Sequence, residues 1–240
     1  MSFQGQQVLV VGGTSGIGAG IAVAFAAQGA QVVATGATAA ECEAADARSG
    51  GGDIRHCLLD VRDGAAVQSF VEGLGALHAV VCCAGVIRRG AELDPAVFAE
   101  VVDINLNGTM RVAAAARPAL KATKGCIVNT ASMLSFFGGG LVPGYSASKG
   151  GVAQLTKSLA IAYAADGIRV NAVAPGWIAT PLTQALQDDA ARSAQILGRT
   201  PLGRWGTPAD VAAPVLFLCS PAAAFVTGVV LPVDGGYLIA

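Results

Sequence analysis

Short apolar segments alternate with longer amphipathic ones along the whole chain, and this alternation limits the folds that are open to it. The apolar segments are nearly continuous runs, which is typical of strands that helices cover on both faces. The predicted strands are Gln7–Val11, Gln31–Thr35, Ile54–Leu58, Ala79–Cys82, Cys126–Asn129, Arg169–Val173 and Val229–Val233. The predicted helices are Ile17–Gln28, Ala39–Arg48, Gly64–Leu74, Pro95–Lys121, Gly144–Asp166, Pro181–Leu197 and Pro208–Ser220.

Strand–helix repeats of this spacing predict right-handed crossovers and a parallel sheet. We therefore expect one α/β domain over residues 1–240, a doubly wound (Rossmann) fold whose seven-stranded parallel sheet is flanked by helices on both faces. The spacing lengthens between Asn171 and Pro208. Because ligands of such folds bind at the carboxyl edge of the sheet, this excursion predicts a substrate loop near residues 176–207.

The amino-acid composition argues against membranes, nucleic acids and metal ions as partners of this chain. Only 13% of the residues are charged and 53% are hydrophobic, yet no run reaches the roughly 18 consecutive apolar residues of a membrane span. A net charge of −1, with no basic cluster longer than Arg88-Arg89, argues against nucleic-acid binding. Six cysteines without CxxC spacing and only two histidines predict no metal site. No secretory signal is visible, so we expect a cytoplasmic protein without a membrane partner.

A glycine-rich segment, Gly12-Gly13-Thr14-Ser15-Gly16-Ile17-Gly18, follows the first predicted strand and opens the first helix. Gly12 permits a tight turn, Gly16 leaves room for backbone amides to approach a diphosphate, and Gly18 allows the helix to pack closely on the sheet. The helix N-terminus adds partial positive charge. Glycine is abundant throughout this chain, but the position of this segment at a strand–helix junction indicates a nucleotide-binding turn.

A second motif, Tyr145-Ser146-Ala147-Ser148-Lys149, begins a predicted helix and places Tyr145 and Lys149 one turn apart on one face. A neighbouring ammonium lowers the pKa of a phenol from about 10 toward the range of acid–base catalysis. Ser132 lies just beyond a predicted strand, where its hydroxyl can hydrogen-bond a substrate oxygen that gains negative charge. A surface Tyr–Lys pair and a turn serine remain alternative interpretations.

In order and spacing, these motifs resemble the short-chain dehydrogenase/reductase family from Gln7 to Tyr237. The resemblance implies hydride transfer between a nicotinamide and a carbinol or carbonyl carbon. The catalytic residues that it implies are Asn105, Ser132, Tyr145 and Lys149. Tyr145 would be the acid–base group, Lys149 would lower its pKa and bind the nicotinamide ribose, and Ser132 would orient the substrate oxygen. Asn105 would hold a water, with capping of a helix kink as an open alternative.

The resemblance also indicates which residues bind the cofactor and the substrate. Those near the cofactor are Gly12, Thr14, Ser15, Gly16, Ile17, Gly18, Gly36, Ala37, Asp60, Val61, Cys83, Ala84, Gly85, Tyr145, Lys149, Pro175, Gly176, Ile178 and Thr180. Asp60 would hold the adenine, and Thr180 the nicotinamide carboxamide. Those near the substrate are Arg88, Ser132, Leu134, Tyr145 and Trp177.

Two departures from the family pattern concern the cofactor. Cys82-Cys83 stands where Asn-Asn is usual, which predicts altered cofactor affinity or stability. No acid that would read the ribose hydroxyls of NAD stands near Gly36, and no base for the 2′-phosphate of NADP stands near Ala37 or at Ser15. Since an unpaired phosphate costs more than an unread hydroxyl pair, we expect NAD(H), with NADP(H) left open.

Local strings such as Ala84-Gly-Val-Ile-Arg-Arg89 and Ala131-Ser-Met-Leu-Ser-Phe136 resemble the family branch that acts on 2-dehydro-3-deoxy-D-gluconate and 2-deoxy-D-gluconate. Arg88 could pair with a substrate carboxylate, or be a solvated or subunit-contact residue. Glycines and apolar residues such as Leu134 and Trp177 keep a hydrophobic ketone or 3-oxoacyl thioester open as substrate. A non-catalytic nucleotide sensor or scaffold is the alternative of another class, although the Tyr–Lys pair argues against it.

The low charge extends to the predicted helix surfaces. The segments Pro95–Leu120 and Val152–Ala165 are rich in alanine and poor in charge. Small apolar residues suit close helix packing between subunits, and the resemblance implies that these helices form tetramers. We therefore expect a homotetramer.

Overall fold

The computed structural model describes residues 1–49 and 54–240. Seven strands form one sheet in the order β3-β2-β1-β4-β5-β6-β7, and each neighbouring pair is parallel. The strands are β1 (Gln7–Val11), β2 (Gln31–Gly36), β3 (Ile54–Leu58), β4 (Ala79–Cys82), β5 (Cys126–Thr130), β6 (Arg169–Pro175) and β7 (Val230–Val233). The expected doubly wound α/β fold is confirmed. The strand order reverses between β1 and β4, which opens the crevice where such folds bind ligands.

Nine α-helices are present in the described part of the chain: α1 (Gly16–Ala26), α2 (Ala39–Ser49), α3 (Gly64–Glu72), α4 (Pro95–Val102), α5 (Gly108–Thr123), α6 (Pro143–Tyr163), α7 (Gln184–Asp188), α8 (Ala190–Arg199) and α9 (Pro208–Cys219). Helices α1 and α9 cover one face of the sheet, and α3 and α5 pack together in the core of the other. No helix in the described ranges is both long enough and apolar enough to cross a bilayer.

The two covered faces explain the continuous apolar strands. Val8 and Val10 of β1 lie in the same apolar cluster as Phe25 of α1. Leu9 and Val11 of the same strand lie in a second apolar cluster, on the other face of the sheet, which contains residues of α3 and α5. Because both faces of every central strand need apolar side chains, the usual alternation with polar residues disappears.

Two predicted helices are interrupted, and the expectation that each is one α-helix is wrong. Pro95–Lys121 contains a π-helical turn at Asp103–Asn107 between α4 and α5. Pro181–Leu197 is a 3₁₀ turn followed by α7 and α8. The side chain of Asp189 caps the start of α8 by accepting from two backbone amides, so Asp189 itself stays extended and ends α7. The predicted loop at 176–207 therefore carries two short helices.

Candidate active site

The glycine segment forms a narrow turn at the carboxyl edge of β1. Gly12 and Gly16 adopt positive φ values of 75° and 53°, which favour glycine. A Cβ atom on Gly12 would lie 2.5 Å from the backbone nitrogen of Ala84, and one on Gly18 would collide with the Gly12 carbonyl oxygen. The turn thus has the bare backbone that a diphosphate needs beside a helix N-terminus.

The opposite wall of the crevice comes from the segment that follows β6. The side chain of Thr180 would lie 3.5 Å from a Cβ atom on Gly16, so Thr180 faces the glycine turn across the crevice. Gly176 packs against Asp234, where a Cβ atom would come within 2.7 Å of the backbone Cα. Ile178 is buried beside them. The structure thereby brings the residues predicted to contact the diphosphate and the nicotinamide of the cofactor to one crevice.

Three predicted catalytic residues meet at the carboxyl end of β5. The Ser132 hydroxyl hydrogen-bonds the side chain of Tyr145, and its oxygen also accepts from the Leu134 amide at 3.1 Å. The Lys149 ammonium donates to the carbonyl oxygen of Thr130 at 2.6 Å. Its Nζ lies 5.6 Å from the centroid of the Tyr145 ring, one helical turn away on α6. A hydroxyl, a phenol and an ammonium are therefore grouped at the carboxyl end of β5.

Burial dominates the electrostatics of this group. It lowers the pKa of Lys149 to about 8, with the Cys82 and Cys83 thiols as lesser, opposing influences. It raises the pKa of Tyr145, although the hydrogen bond from Ser132 works in the other direction. The expected lowering of the Tyr145 pKa by Lys149 is not seen: burial is the largest influence on the phenol, and the ammonium donates to Thr130. Among the described residues, no group of three or more His, Cys, Asp and Glu side chains is placed to hold a metal ion.

Asn105 lies in the π-helical turn and is completely buried. Its amide accepts from the Val86 amide at 2.8 Å and donates to the Val86 carbonyl at 3.0 Å, so it ties the turn to the loop after β4. A Cβ atom on Gly85 would lie 3.3 Å from Asn105 Oδ1 and 3.5 Å from Lys149 Nζ. Asn105 thus shapes the helix irregularity and lies near Gly85, which also adjoins Lys149. Its role in holding a water stays a prediction.

Of the two unusual cysteines beneath this site, Cys82 is buried and Cys83 is partly buried. The Thr130 hydroxyl donates to the Cys83 sulfur at 3.3 Å. Burial raises the pKa of Cys82 to about 12 and also raises that of Cys83. Both thiols therefore remain protonated and pack as small apolar groups in place of asparagine amides.

The predicted adenine contact is already paired within the chain. Both carboxylate oxygens of Asp60 accept from Arg62, including a 2.6 Å bond from the guanidinium Nη2, and this pairing holds the pKa of Asp60 below its ordinary value. Val61, the next residue, is buried against Gly108 at the start of α5. The ion pair was not expected from the sequence, although Asp60-Val61-Arg62 makes it a local contact.

Two carboxylates near the site, Glu92 and Glu41, were not predicted from the sequence. Glu92 is 1% exposed and accepts from the amides of Arg88 at 2.7 Å and Tyr145 at 2.8 Å, so it joins the loop after β4 to the start of α6. Glu41 of α2 accepts from the Ala37 amide at 2.8 Å. The expectation that no acid stands near Gly36 is therefore wrong. The spacing Thr38-Ala-Ala-Glu41 is a capping-box signal that could have placed this carboxylate at the end of β2.

Trp177, one of the residues predicted to lie near the substrate, belongs to an aromatic cluster. Trp177 packs edge to face on Trp205 and Tyr237, with ring centroids 6.0 and 6.2 Å apart. Its indole Nε1 is buried and has no hydrogen-bond partner in the described structure. An open cavity of about 550 Å³ adjoins it. Arg88 is half exposed, and its guanidinium lies 3.8 Å from Glu100.

Comparison with known proteins gives a consistent result. Residues 11–238 match the family described as enoyl-(acyl carrier protein) reductase. The chain is 40% identical to a 2-dehydro-3-deoxy-D-gluconate 5-dehydrogenase of Pseudoalteromonas atlantica, over 99% of this chain and 97% of that protein. It is 36% identical to a 3-oxoacyl-[acyl-carrier-protein] reductase of Escherichia coli, over 98% of each. A solved putative 2-deoxy-D-gluconate 3-dehydrogenase from Agrobacterium tumefaciens with bound NADP has a TM-score of 0.90 and 42% identity, covering 100% and 98% of the two chains.

Proposed function

This chain belongs to the short-chain dehydrogenase/reductase family of NAD(P)-dependent oxidoreductases, and we propose that its substrate is a sugar acid such as 2-dehydro-3-deoxy-D-gluconate. The observation that carries the proposed chemistry is the grouping of Ser132, Tyr145 and Lys149 at one edge of the sheet. The sugar-acid specificity rests on the full-length similarity to a dehydrogenase of that substrate.

The nicotinamide, when bound, supplies or accepts the hydride. In reduction, we assign the Tyr145 hydroxyl as the donor of a proton to the substrate oxygen, and in oxidation as the group that removes it. Ser132 orients that oxygen, since its hydroxyl already contacts the phenol. The Lys149 ammonium, which donates to Thr130 in this structure, would bind the nicotinamide ribose and stabilise the phenolate that forms after proton donation. Asn105 holds the loop after β4 in place beside these residues through its two hydrogen bonds with Val86.

The glycine turn, Gly85 and Thr180 fit a dinucleotide, because side chains larger than glycine would fill the turn. We propose that the diphosphate lies on this turn and that the nicotinamide end lies toward Thr180. We also propose a preference for NAD(H). The absence of positive side-chain charge at Ser15, Gly36 and Ala37 supports this preference, because a 2′-phosphate needs a cation as partner.

A substrate panel tests the proposed specificity. We expect turnover of 2-dehydro-3-deoxy-D-gluconate or 2-deoxy-D-gluconate to exceed that of aryl ketones and acetoacetyl thioesters, with NADH giving the higher kcat/KM than NADPH. The measurement is the change in absorbance of the reduced nicotinamide with time. Absence of turnover with every sugar acid would refute the substrate assignment, and higher kcat/KM with NADPH would refute the cofactor preference.

Reduction of hydrophobic ketones or 3-oxoacyl thioesters is the second candidate. The aromatic cluster of Trp177, Trp205 and Tyr237 favours it, because such rings bury apolar substrate surface. The 36% identity to a 3-oxoacyl-[acyl-carrier-protein] reductase adds support. In the same panel, this candidate predicts that the thioester is the preferred substrate.

We further propose a homotetramer. Met110 of α5 and Ile161 of α6 are 40% and 80% exposed, although both are apolar and lie on the alanine-rich helices. Burial of these surfaces between subunits would account for a chain with only 13% charged residues. Light scattering at micromolar concentration should give about four times the 23.8 kDa chain mass. A monomer mass would contradict the proposal.

A further inference from the structure

In dinucleotide-binding folds an acidic residue about 20 positions after the glycine turn reads the adenosine ribose, and the Glu41 carboxylate reaches the end of β2 beside that turn. The residue belongs to the first turn of α2, and its side chain turns back to the end of β2. A Cβ atom on Gly36 would lie 3.0 Å from Glu41 Oε2 and 3.0 Å from Thr14 Oγ1. The carboxylate, the end of β2 and the glycine turn therefore converge on one point.

One carboxylate oxygen remains available at this point. Oε2 accepts from the Ala37 amide at 2.8 Å, whereas Oε1 takes part in no hydrogen bond within the described ranges. The residue is exposed, so a ligand can reach it. A carboxylate with a free oxygen suits the two hydroxyl donors of a ribose, because hydrogen bonds to an ionised acceptor are the stronger kind.

We infer that Glu41 is the residue that makes this enzyme prefer NAD(H) over NADP(H). This inference rests on the proposed function. The free carboxylate oxygen would accept from the adenosine ribose hydroxyls of NAD. The same charge would repel the 2′-phosphate of NADP, and Oε2 already occupies the Ala37 amide that could bind that phosphate.

Arg48, the nearby cationic side chain, does not cancel the effect of the Glu41 charge on the choice between NAD and NADP. Arg48 lies two turns further along α2, and its Nη2 donates to the carbonyl oxygen of Thr14 at 2.5 Å. Its guanidinium is thus attached to the glycine turn, while the Glu41 carboxylate is attached to the end of β2. Neutralising Glu41 would leave Arg48 as the nearby charge, which attracts phosphate.

Glu41→Gln tests the inference, because the amide oxygen keeps an acceptor for the Ala37 amide while the charge is removed. The dissociation constants of NADH and NADPH are measured by nucleotide fluorescence for the wild type and the variant. We expect the wild type to bind NADH more tightly and the variant to lower the ratio Kd(NADPH)/Kd(NADH) at least about tenfold. Glu43→Gln, the same change on another face of α2, should leave the ratio unchanged.

The outcomes separate this inference from the proposed function. If the wild type prefers NADH and Glu41→Gln keeps the wild-type ratio, the role of Glu41 is refuted and the cofactor preference stands. If the wild type prefers NADPH, both the preference and the role of Glu41 are refuted. If it binds neither nucleotide, the proposed function itself fails. Circular dichroism and thermal unfolding show whether the variant is folded, and a misfolded Glu41→Gln is replaced by Glu41→Ala in the same titration.

Discussion

Tyr145→Phe should lower turnover by about 10²- to 10⁴-fold, the range that a positioned acid–base group contributes. The substitution removes only the hydroxyl that Ser132 contacts, and it leaves the half-buried ring in place on α6. Cofactor affinity should change little, because the phenol oxygen acts on the substrate. The measurement is kcat with the best substrate of the panel, together with the dissociation constant of the reduced cofactor.

Tyr163→Phe provides the matched control. Tyr163 lies on the same helix and is more deeply buried than Tyr145, but its ring packs under the guanidinium of Arg117, away from Ser132. It should keep wild-type turnover. Undiminished activity in Tyr145→Phe would show that another group transfers the proton, whereas equal losses in both variants would point to damage to α6 rather than to catalysis.

Lys149→Met should abolish most turnover and at the same time make the protein more stable. The ammonium is 4% exposed, and burial holds its pKa at about 8, below the ordinary 10.5. A shift of this size corresponds to roughly 3 kcal/mol of unfavourable burial. Loss of the hydrogen bond to Thr130 offsets about 1 kcal/mol of the gain. We therefore expect the free energy of unfolding to rise by about 2 kcal/mol near pH 7.

The pH dependence identifies the cause of that gain. Below about pH 8 the lysine is charged in both folded and unfolded chains, so the wild type carries the full burial cost. Between about 8 and 10.5 the folded protein releases the proton first, and wild-type stability rises relative to the variant. The stability difference from urea unfolding should shrink as pH rises through this interval. A difference independent of pH would refute burial of charge as its source.

Lys157→Met tests whether removal of any lysine from α6 has the same effect. Lys157 is exposed and donates to Gln154 on the same helix. Removing this ammonium should change the free energy of unfolding by no more than about 0.5 kcal/mol and leave turnover intact. A stabilisation equal to that of Lys149→Met would mean that the helix surface, rather than the buried charge, is responsible.

Much of the fold was predictable because it depends on short-range patterns. A strand covered on both faces has to be apolar throughout, so its composition alone marks it as part of a parallel sheet. The glycine turn is similarly local, since Gly12 and Gly18 meet within one strand–helix junction. The spacing of Tyr145 and Lys149 also specifies a shared helix face without knowledge of the rest of the chain.

The interrupted helices were less predictable. Helical periodicity runs through Asp103–Asn107 without a visible break, yet the structure has a π-helical turn there. The Asn105 amide bonds to Val86, 19 positions away, and this long-range contact anchors the turn. Asp189 could have been identified as a helix N-cap from its residue type, but the apolar pattern around it masked the break.

By itself, the sequence determined the parallel sheet, and it predicted the glycine turn and the three residues, Ser132, Tyr145 and Lys149, that meet at the end of β5. Only the tertiary structure decided which polar and charged atoms lie around those residues. Glu92 reaches the Tyr145 amide across 53 positions, the Lys149 ammonium turns to Thr130, and Glu41 folds back to Gly36. Periodicity reports which face of an element is buried, whereas pKa and specificity depend on which polar atoms meet once the elements have packed.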